Sequence, residues 1–227
     1  MTSRLRGLGI VLALIGFAFV AVGAFAFYKT QEGYSSLNAF SAAQNVQLTY
    51  NEDGQLIDRG ETAGADAIMG LLKNEWGYPV ADGDLNPNDP VVNTATEYMY
   101  QMATVAYHTL HGTQTIVLDE DVTYKGELFP AGTYEFAIDG RYWADFDREH
   151  PLEGPARGMA WTGTAHALIA ELGVGTATAS ALQLALALAA LAGGLGATLI
   201  LAGAGLVWAT RPETAPVPVL RQSSVPA

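Results

Sequence analysis

Hydrophobic residues are concentrated in two blocks near the ends of the chain, separated by a segment in which apolar and polar positions alternate. Residues 7–28 and residues 173–210 contain no Asp, Glu, Lys or Arg. An α-helix of about 20 apolar residues crosses the ~30 Å hydrocarbon core of a bilayer. The pattern therefore predicts a transmembrane helix over 7–28 and a second helix over 181–209 that contains another span.

The first block also resembles a secretory leader. Arg4 and Arg6 form a basic start, and Ala24-Phe25-Ala26 has the small-x-small pattern that signal peptidases accept. However, the block is longer than the 7–15-residue apolar core of a signal peptide, and Tyr28 and Lys29 follow where an interfacial anchor is expected. A retained span is the preferred interpretation, and cleavage after residue 26 stays the alternative.

Basic residues next to the spans predict the orientation. Arg4 and Arg6 precede the first span and Arg211 and Arg221 follow the second, whereas only Lys29 lies close to a span on the other side. Cytoplasmic flanks carry the excess of Lys and Arg. We expect residues 1–6 and a disordered tail, 210–227, to be cytoplasmic. Residues 29–180 then form an extracytoplasmic domain outside the plasma membrane.

Small residues recur every seven positions in both blocks. This spacing places a narrow strip on each helix and predicts close packing of the two helices in a left-handed crossing. The alternative is that Gly and Ala are simply frequent in membrane helices. The strips consist of Gly9, Gly16 and Gly23 in the first block and Ala189, Gly196 and Gly203 in the second.

The central segment has the mixed periodicity of an α+β domain. Thr94-Ala-Thr-Glu97 is a capping-box pattern that opens a helix ending near Gly112. The Tyr and Met residues of that helix are expected in the core, with an exposed binding surface as the alternative. The other predicted elements are helices at 34–44, 62–76 and 164–172, a strand at 46–50, and a three-stranded antiparallel meander over 113–143.

Charge is segregated along the chain. Residues 29–180 carry twenty-two Asp and Glu against seven Lys and Arg, a net charge of −15. Such a domain repels phosphate backbones, so nucleic acid is excluded as a partner, and basic protein surfaces or cations are favoured. The absence of cysteine excludes disulfides, thiolate catalysis and cysteine metal sites.

The order of these segments resembles a known group of proteins. The features are a basic first span, Asn45-Val-Gln-Leu-Thr49, Gly64-Ala-Asp-Ala-Ile68, Asn88-Asp-Pro90 before a helix, and a closing span. The chain is in this respect similar to uncharacterised actinobacterial two-span membrane proteins that often carry the automatic label aromatic ring-opening dioxygenase. The resemblance covers residues 1–110 and the final span. It implies a membrane protein more strongly than an oxygenase, because the label comes with no established active site.

Two sets of residues are candidate metal ligands. His108 and His111 lie three residues apart on one helix, and non-haem iron sites commonly use two histidines and a carboxylate. Asp119 or Asp121 would have to supply the acid. The alternative is that histidines in the last turn complement the helix dipole.

The second set is an acidic loop. Asp82, Asp84 and Asn86 place oxygen atoms at alternate positions, as calcium loops do. Pro87 stands where an EF-hand needs glycine, and Asn93 stands where it needs a bidentate Glu, so an ordinary Asx-rich turn is the alternative. The cations these two sets predict are a transition metal and Ca²⁺, respectively.

No motif points to a reaction. The sequence has neither a phosphate-binding loop nor a Gly-x-Ser-x-Gly elbow, and it yields no catalytic or cofactor-binding residues. We therefore expect a non-enzymatic accessory or interaction protein whose partners are the bilayer and either another membrane protein or a second copy. A metal-dependent extracytoplasmic enzyme using His108 and His111 is the alternative function.

Overall fold

The computed structural model describes residues 2–211, and the predicted tail lies outside them except for its first two residues. The chain divides into two compact units. The described residues of the helix-pair unit are 2–30 and 184–211, and the central unit contains Gln31–Gln183. Two helices, α1 (Thr2–Gln44) and α5 (Gly163–Ala209), each contribute to both units.

The helix-pair unit confirms the expectation of two long apolar helices. Residues 2–30 of α1 and 184–209 of α5 are helical without a break, because neither stretch contains proline and both are rich in Ala and Leu. Only 11% of the most apolar window of each helix is buried. Both helices are long and apolar enough to cross a membrane.

The central unit is α+β, as predicted. Its helices are α2 (Thr62–Gly70), α3 (Ala95–Leu110), α4 (Glu153–Ala160) and the inner parts of α1 and α5. A π-helical turn, Leu71–Glu75, extends α2, and a 3-10 turn covers Asp82–Asp84. The most completely buried apolar side chains, which form the centre of the core, are Ile68, Leu72, Leu110 and Ile138.

The predicted capping box is confirmed. The Thr94 hydroxyl accepts a hydrogen bond from the Glu97 backbone N–H at 3.3 Å, and the Glu97 carboxylate accepts one from the Thr94 N–H at 2.9 Å. Glu97 is 1% exposed, and its burial raises the pKa of its carboxyl group against the opposing effect of the backbone N–H bonds from Asn93 and Thr94. This start fixes where α3 enters the core.

The antiparallel sheet is present, but the meander is wrong. The strands are β1 (Thr113–Leu118), β2 (Val122–Tyr124), β3 (Glu127–Phe129) and β4 (Gly132–Ala137). β1 pairs with β4 from Thr113↔Ala137 to Leu118↔Gly132, and β2 pairs only with β3. The turn at Lys125 and Gly126 has φ angles of 50° and 90°, which suit a type I′ hairpin. A local hairpin is therefore inserted between the two long strands.

Three further elements differ from the prediction. Residues 46–50 form single bridges, Gln47↔Val91 and Tyr50↔Leu56, rather than a strand, because no neighbouring segment offers a continuous ladder. The short helix expected at 164–172 and the helix expected at 181–209 are one helix, since the uncharged residues between them include no proline, and the glycines there lower helix propensity without ending the helix. The sequence predicts no element over the polar stretch 145–157, but α4 begins within it, at Glu153.

Candidate functional site

The two helices of the helix-pair unit pack through their glycine strips, as the heptad spacing predicts. A Cβ atom on Gly16 would lie 2.6 Å from the Gly196 carbonyl oxygen, and one on Gly9 would lie 2.7 Å from the Gly203 carbonyl oxygen. Carbon atoms in ordinary contact are about 3.5–4.0 Å apart. Glycine is therefore required at these crossing points, because the two backbones touch directly.

The third contact shows one residue that the periodicity missed. A Cβ atom on Gly23 would lie 2.8 Å from the Gly193 backbone nitrogen and 2.9 Å from the Ala189 carbonyl oxygen. Gly193 is four residues after Ala189, so it lies one turn further along the same face of α5. A seven-residue repeat that starts at Ala189 reaches position 196 and does not include Gly193. The α-helical period of 3.6 residues per turn places Gly193 on the same face as Ala189.

Other faces of this helix pair carry large apolar side chains that are mostly exposed. They include Phe17 at 60% exposed, Phe25 at 64%, Leu191 at 67% and Leu201 at 73%. Monomeric soluble proteins rarely expose apolar patches of more than a few hundred Å². The outer surface of the helix pair is therefore strongly apolar.

Within the central unit, three helices enclose an apolar groove of about 660 Å³. Its walls are one face of α1 and one face of α5, and α3 contributes the third side. The spacing of three and four residues on each helix places these positions on a single face. The residues that line the groove include Ser36, Phe40 and Val46, then Val105 on α3, and Leu168, Glu171 and Val174 on α5.

The inside of the groove has its polar groups satisfied. The Ser41 hydroxyl lies 2.7 Å from the Tyr98 hydroxyl in a buried hydrogen bond. The Tyr98 ring packs on α5 at Gly175, where an added Cβ atom would lie 2.6 Å from the ring. At the end of α1 the Val92 N–H donates to the Val46 carbonyl oxygen at 2.9 Å. These contacts give the groove defined walls, and they satisfy the Ser41 and Tyr98 hydroxyl groups within it.

A second cavity in the central unit, of about 600 Å³, is bordered by aromatic side chains. We call Trp76, Tyr142, Trp143, Trp161 and His166 the aromatic cluster. The Tyr142 and Trp161 rings stack with centroids 5.8 Å apart, and His166 meets Trp143 edge-on at 5.0 Å.

Polar contacts hold the aromatic cluster in place. The Trp76 indole N–H donates to the Tyr142 hydroxyl at 2.9 Å, and the Trp161 indole N–H donates to the Arg141 carbonyl oxygen at 3.1 Å. The Arg157 guanidinium carbon lies 3.2 Å from the centre of the Trp143 ring. Tyr142 and Trp143 remain 38% and 37% exposed. The cluster is thus a preorganised, partly exposed aromatic surface.

The structure separates the two predicted histidine ligands. His108 Nε2 lies 3.0 Å from the Asp58 carboxylate, which comes from the loop before α2. His111 Nδ1 donates to the Tyr107 carbonyl oxygen of its own helix at 2.9 Å, so that nitrogen carries the proton. Asp121 accepts from the Ala131 N–H at 2.8 Å in the hairpin region. Nothing brings these groups to one point, and the metal assignment stays a prediction.

The acidic loop is held by its own contacts. The Asn86 amide oxygen accepts a hydrogen bond from the Asn88 N–H at 3.0 Å, which is an Asx turn, and Asp82 lies 3.7 Å from Lys73. Asp84 belongs to the 3-10 turn. Over residues 2–211, no group of three or more His, Asp or Glu side chains is arranged to hold a metal ion. The calcium site therefore also stays a prediction.

Two buried tyrosines lie near the His108–Asp58 pair. The hydroxyl groups of Tyr50 and Tyr100 are buried and have no hydrogen-bond partner among the described residues. Burial raises the pKa of both phenols, and the negative charge of Asp58 adds to the effect on Tyr100. Both hydroxyls therefore stay protonated at neutral pH and cannot act as bases.

Comparison with known proteins assigns no family. No family model matches the chain, and no curated protein or solved structure is significantly similar to it. The resemblance to actinobacterial two-span proteins is thus a prediction that these comparisons leave untested. The apolar groove and the aromatic cluster, which sequence reasoning did not identify, rest on the structure alone.

Proposed function

We propose that this chain is a two-span membrane-anchored accessory or interaction protein that presents an acidic domain outside the plasma membrane. The observation that carries the proposal is the helix pair. Its helices are held together by direct backbone contact at Gly9, Gly16 and Gly23, while their outer faces are large, apolar and exposed. Small residues inside and large apolar residues outside are what a lipid-embedded pair needs, because packing rather than water exclusion must hold it together.

The same contacts support retention of the first helix. All three glycines of its strip lie against α5. A cleaved leader has no use for a complementary surface on a distant helix of the same chain. The proposed topology places both termini in the cytoplasm, following the basic residues at the ends of the chain.

The aromatic cluster supports the interaction role. Exposed Trp and Tyr side chains, together with a stacked Arg, are the residue types enriched at the centres of protein interfaces. The net charge of −15 over residues 29–180 favours a partner with a basic surface. We propose that the partner is another membrane protein with a basic surface, contacted at Tyr142 and Trp143. A second copy of this chain is the alternative, which the negative charge of the domain disfavours.

Site-specific photo-cross-linking in intact cells tests the interaction. A photoreactive phenylalanine analogue at Trp143 should yield one defined adduct, whereas the same analogue at Val117 should yield none. Val117 is a matched control because it is 61% exposed and lies on β1, outside the aromatic cluster. If both positions give no adduct and the protein migrates alone from native membranes, the accessory role is refuted.

The alternative, a metal-dependent enzyme, would use His108 and His111. Over residues 2–211 no group of three metal-ligating side chains is present. His108 is paired with Asp58, and His111 is bonded to its own helix.

A further inference from the structure

We propose that the apolar groove of the central unit binds the acyl chain of a lipid whose headgroup has no net negative charge. This inference rests on the proposed membrane anchoring and adds a ligand to it.

Apolar side chains at the rim of the groove remain exposed to solvent. Phe40 is 49% exposed, Val46 37%, Leu168 42% and Val174 66%. All four border the same cavity. A hydrocarbon chain lying in the groove removes this surface from water, and such burial is favourable in proportion to its apolar area. The rim therefore favours an apolar occupant that runs along the groove.

The length of the groove agrees with a single acyl chain. Its lining on α1 extends from Gly33 to Gln44, which at 1.5 Å per residue is about 16 Å. One leaflet contributes about half of the ~30 Å hydrocarbon core, or roughly 15 Å per chain. A helix of the same length has a diameter of at least about 10 Å and occupies roughly 1,300 Å³. The groove, at about 660 Å³, holds only about half of that volume, so it suits an extended chain better than a helix.

The source of the ligand follows from the position of the groove in the sequence. Gly33, the first lining residue, follows Tyr28 by only five residues along the chain. Under the proposed anchoring, Tyr28 lies at the bilayer surface. The nearest abundant hydrocarbon chains are then those of membrane lipids.

Charge selects the headgroup and argues against a second copy as the occupant. The lining contains no Lys, Arg or His, and its one charged residue is Glu171. A phosphate monoester, a free fatty acid carboxylate or an anionic headgroup finds no cation there and is repelled by Glu171. Two domains of net charge −15 likewise repel each other. A zwitterionic lipid has no net negative charge, so it needs no cation in the lining and is not repelled by Glu171 or by the acidic domain.

The test uses the full chain in lipid nanodiscs that contain phosphatidylcholine with a diazirine at the end of one acyl chain. After illumination, adducts are mapped by mass spectrometry. We expect adducts on the groove residues of α1, α3 and α5 in addition to adducts within 7–28 and 188–209. Adducts in the two spans alone overturn this inference and leave the membrane anchor intact, whereas adducts in neither region refute the anchor as well.

A pair of neighbouring substitutions provides the matched control. Ser36→Trp places an indole in the groove, while Ser35→Trp adds the same side chain one position away, on an exposed residue that does not line it. We expect Ser36→Trp to lower groove adducts about tenfold, which corresponds to ~1.4 kcal/mol of binding free energy. Ser35→Trp should leave them unchanged. Equal effects of the two variants contradict the proposal.

A second variant tests the rim of the groove, and a second lipid probe tests the headgroup assignment. Val174→Glu changes an exposed rim position without disturbing the core and should also lower the groove adducts. The same diazirine chain on phosphatidylglycerol should label the groove less than phosphatidylcholine does, and equal or stronger labelling overturns the headgroup assignment. Cross-links from the groove to another chain or peptide in place of lipid overturn the acyl-chain assignment.

Discussion

Replacing Gly16 by alanine is the sharpest perturbation of the helix pair. The added Cβ atom would lie 2.6 Å from the Gly196 carbonyl oxygen and 2.8 Å from the Ile200 backbone nitrogen. Both contacts are to helix backbone, which cannot move alone. Since ordinary van der Waals contact begins near 3.4 Å, the two helices must separate by about 0.8 Å at this point.

Two opposing effects decide the magnitude. A gap of 0.5–1 Å loses about a quarter to a half of the dispersion energy of each affected atom pair, and overpacking typically costs about 1–3 kcal/mol. Alanine has a higher helix propensity than glycine by about 1 kcal/mol. The steric cost is the larger effect, so we expect a net destabilisation of about 1–2 kcal/mol.

Gly194→Ala is the matched control, because no heavy atom lies within 4 Å of its added Cβ atom. This substitution raises helix propensity as Gly16→Ala does, but its added Cβ atom meets no other atom. Both variants are purified as the full chain in mild detergent and titrated with SDS while far-UV circular dichroism follows unfolding. The Gly16→Ala midpoint should fall and the Gly194→Ala midpoint should stay or rise. Equal shifts in the two variants refute the close backbone contact.

Three further predictions concern the central unit. Thr94→Ala removes the N-cap of α3 and should lower the free energy of unfolding by about 1 kcal/mol, measured by thermal denaturation. Asp58→Ala removes the partner of His108 and should destabilise by roughly 1 kcal/mol, whereas His111→Ala should change stability less because its side chain bonds only its own helix. The hydrogen bonds from Tyr124 and Lys125 lower the pKa of the Asp147 carboxyl group. The stability that ionised Asp147 contributes is therefore fully present above the ordinary Asp pKa. It is lost as the pH falls from there through the lowered pKa of the folded protein. Asp147→Asn should make stability less dependent on pH below about 4, and an unchanged acid titration would contradict this.

The elements that depend on local signals follow from the sequence. The two apolar helices follow from runs of uncharged residues, and the start of α3 follows from the spacing of Thr94 and Glu97. The glycine strips follow from a seven-residue repeat, except for Gly193, which lies on the same face but outside that repeat. In each case the residues that determine the element lie within a short stretch of the chain.

The elements that depend on distant partners do not follow. The meander was wrong because alternation marks a strand but does not show which strand it pairs with, and β1 pairs with β4 across an inserted hairpin. The sequence does not predict the uninterrupted α5, because a change from polar to apolar composition is not a helix end when no proline is present.

The groove and the aromatic cluster were missed for the same reason. The cluster joins Trp76, which follows the π-helical turn, with residues between 142 and 166. The groove uses one face from each of three helices. In the sequence each of those faces looks like an ordinary buried stripe, and only the fold shows that the three stripes do not fully cover each other.

The most direct test of the membrane-anchored topology is cysteine accessibility in intact cells. The chain has no cysteine, so Ser3→Cys and Glu120→Cys each introduce one thiol, near the N-terminus and in the exposed turn after β1. A membrane-impermeant maleimide should label residue 120 in intact cells and residue 3 only after lysis. Labelling of residue 3 in intact cells, protection of residue 120, or a mature protein that lacks residue 3 would contradict the account.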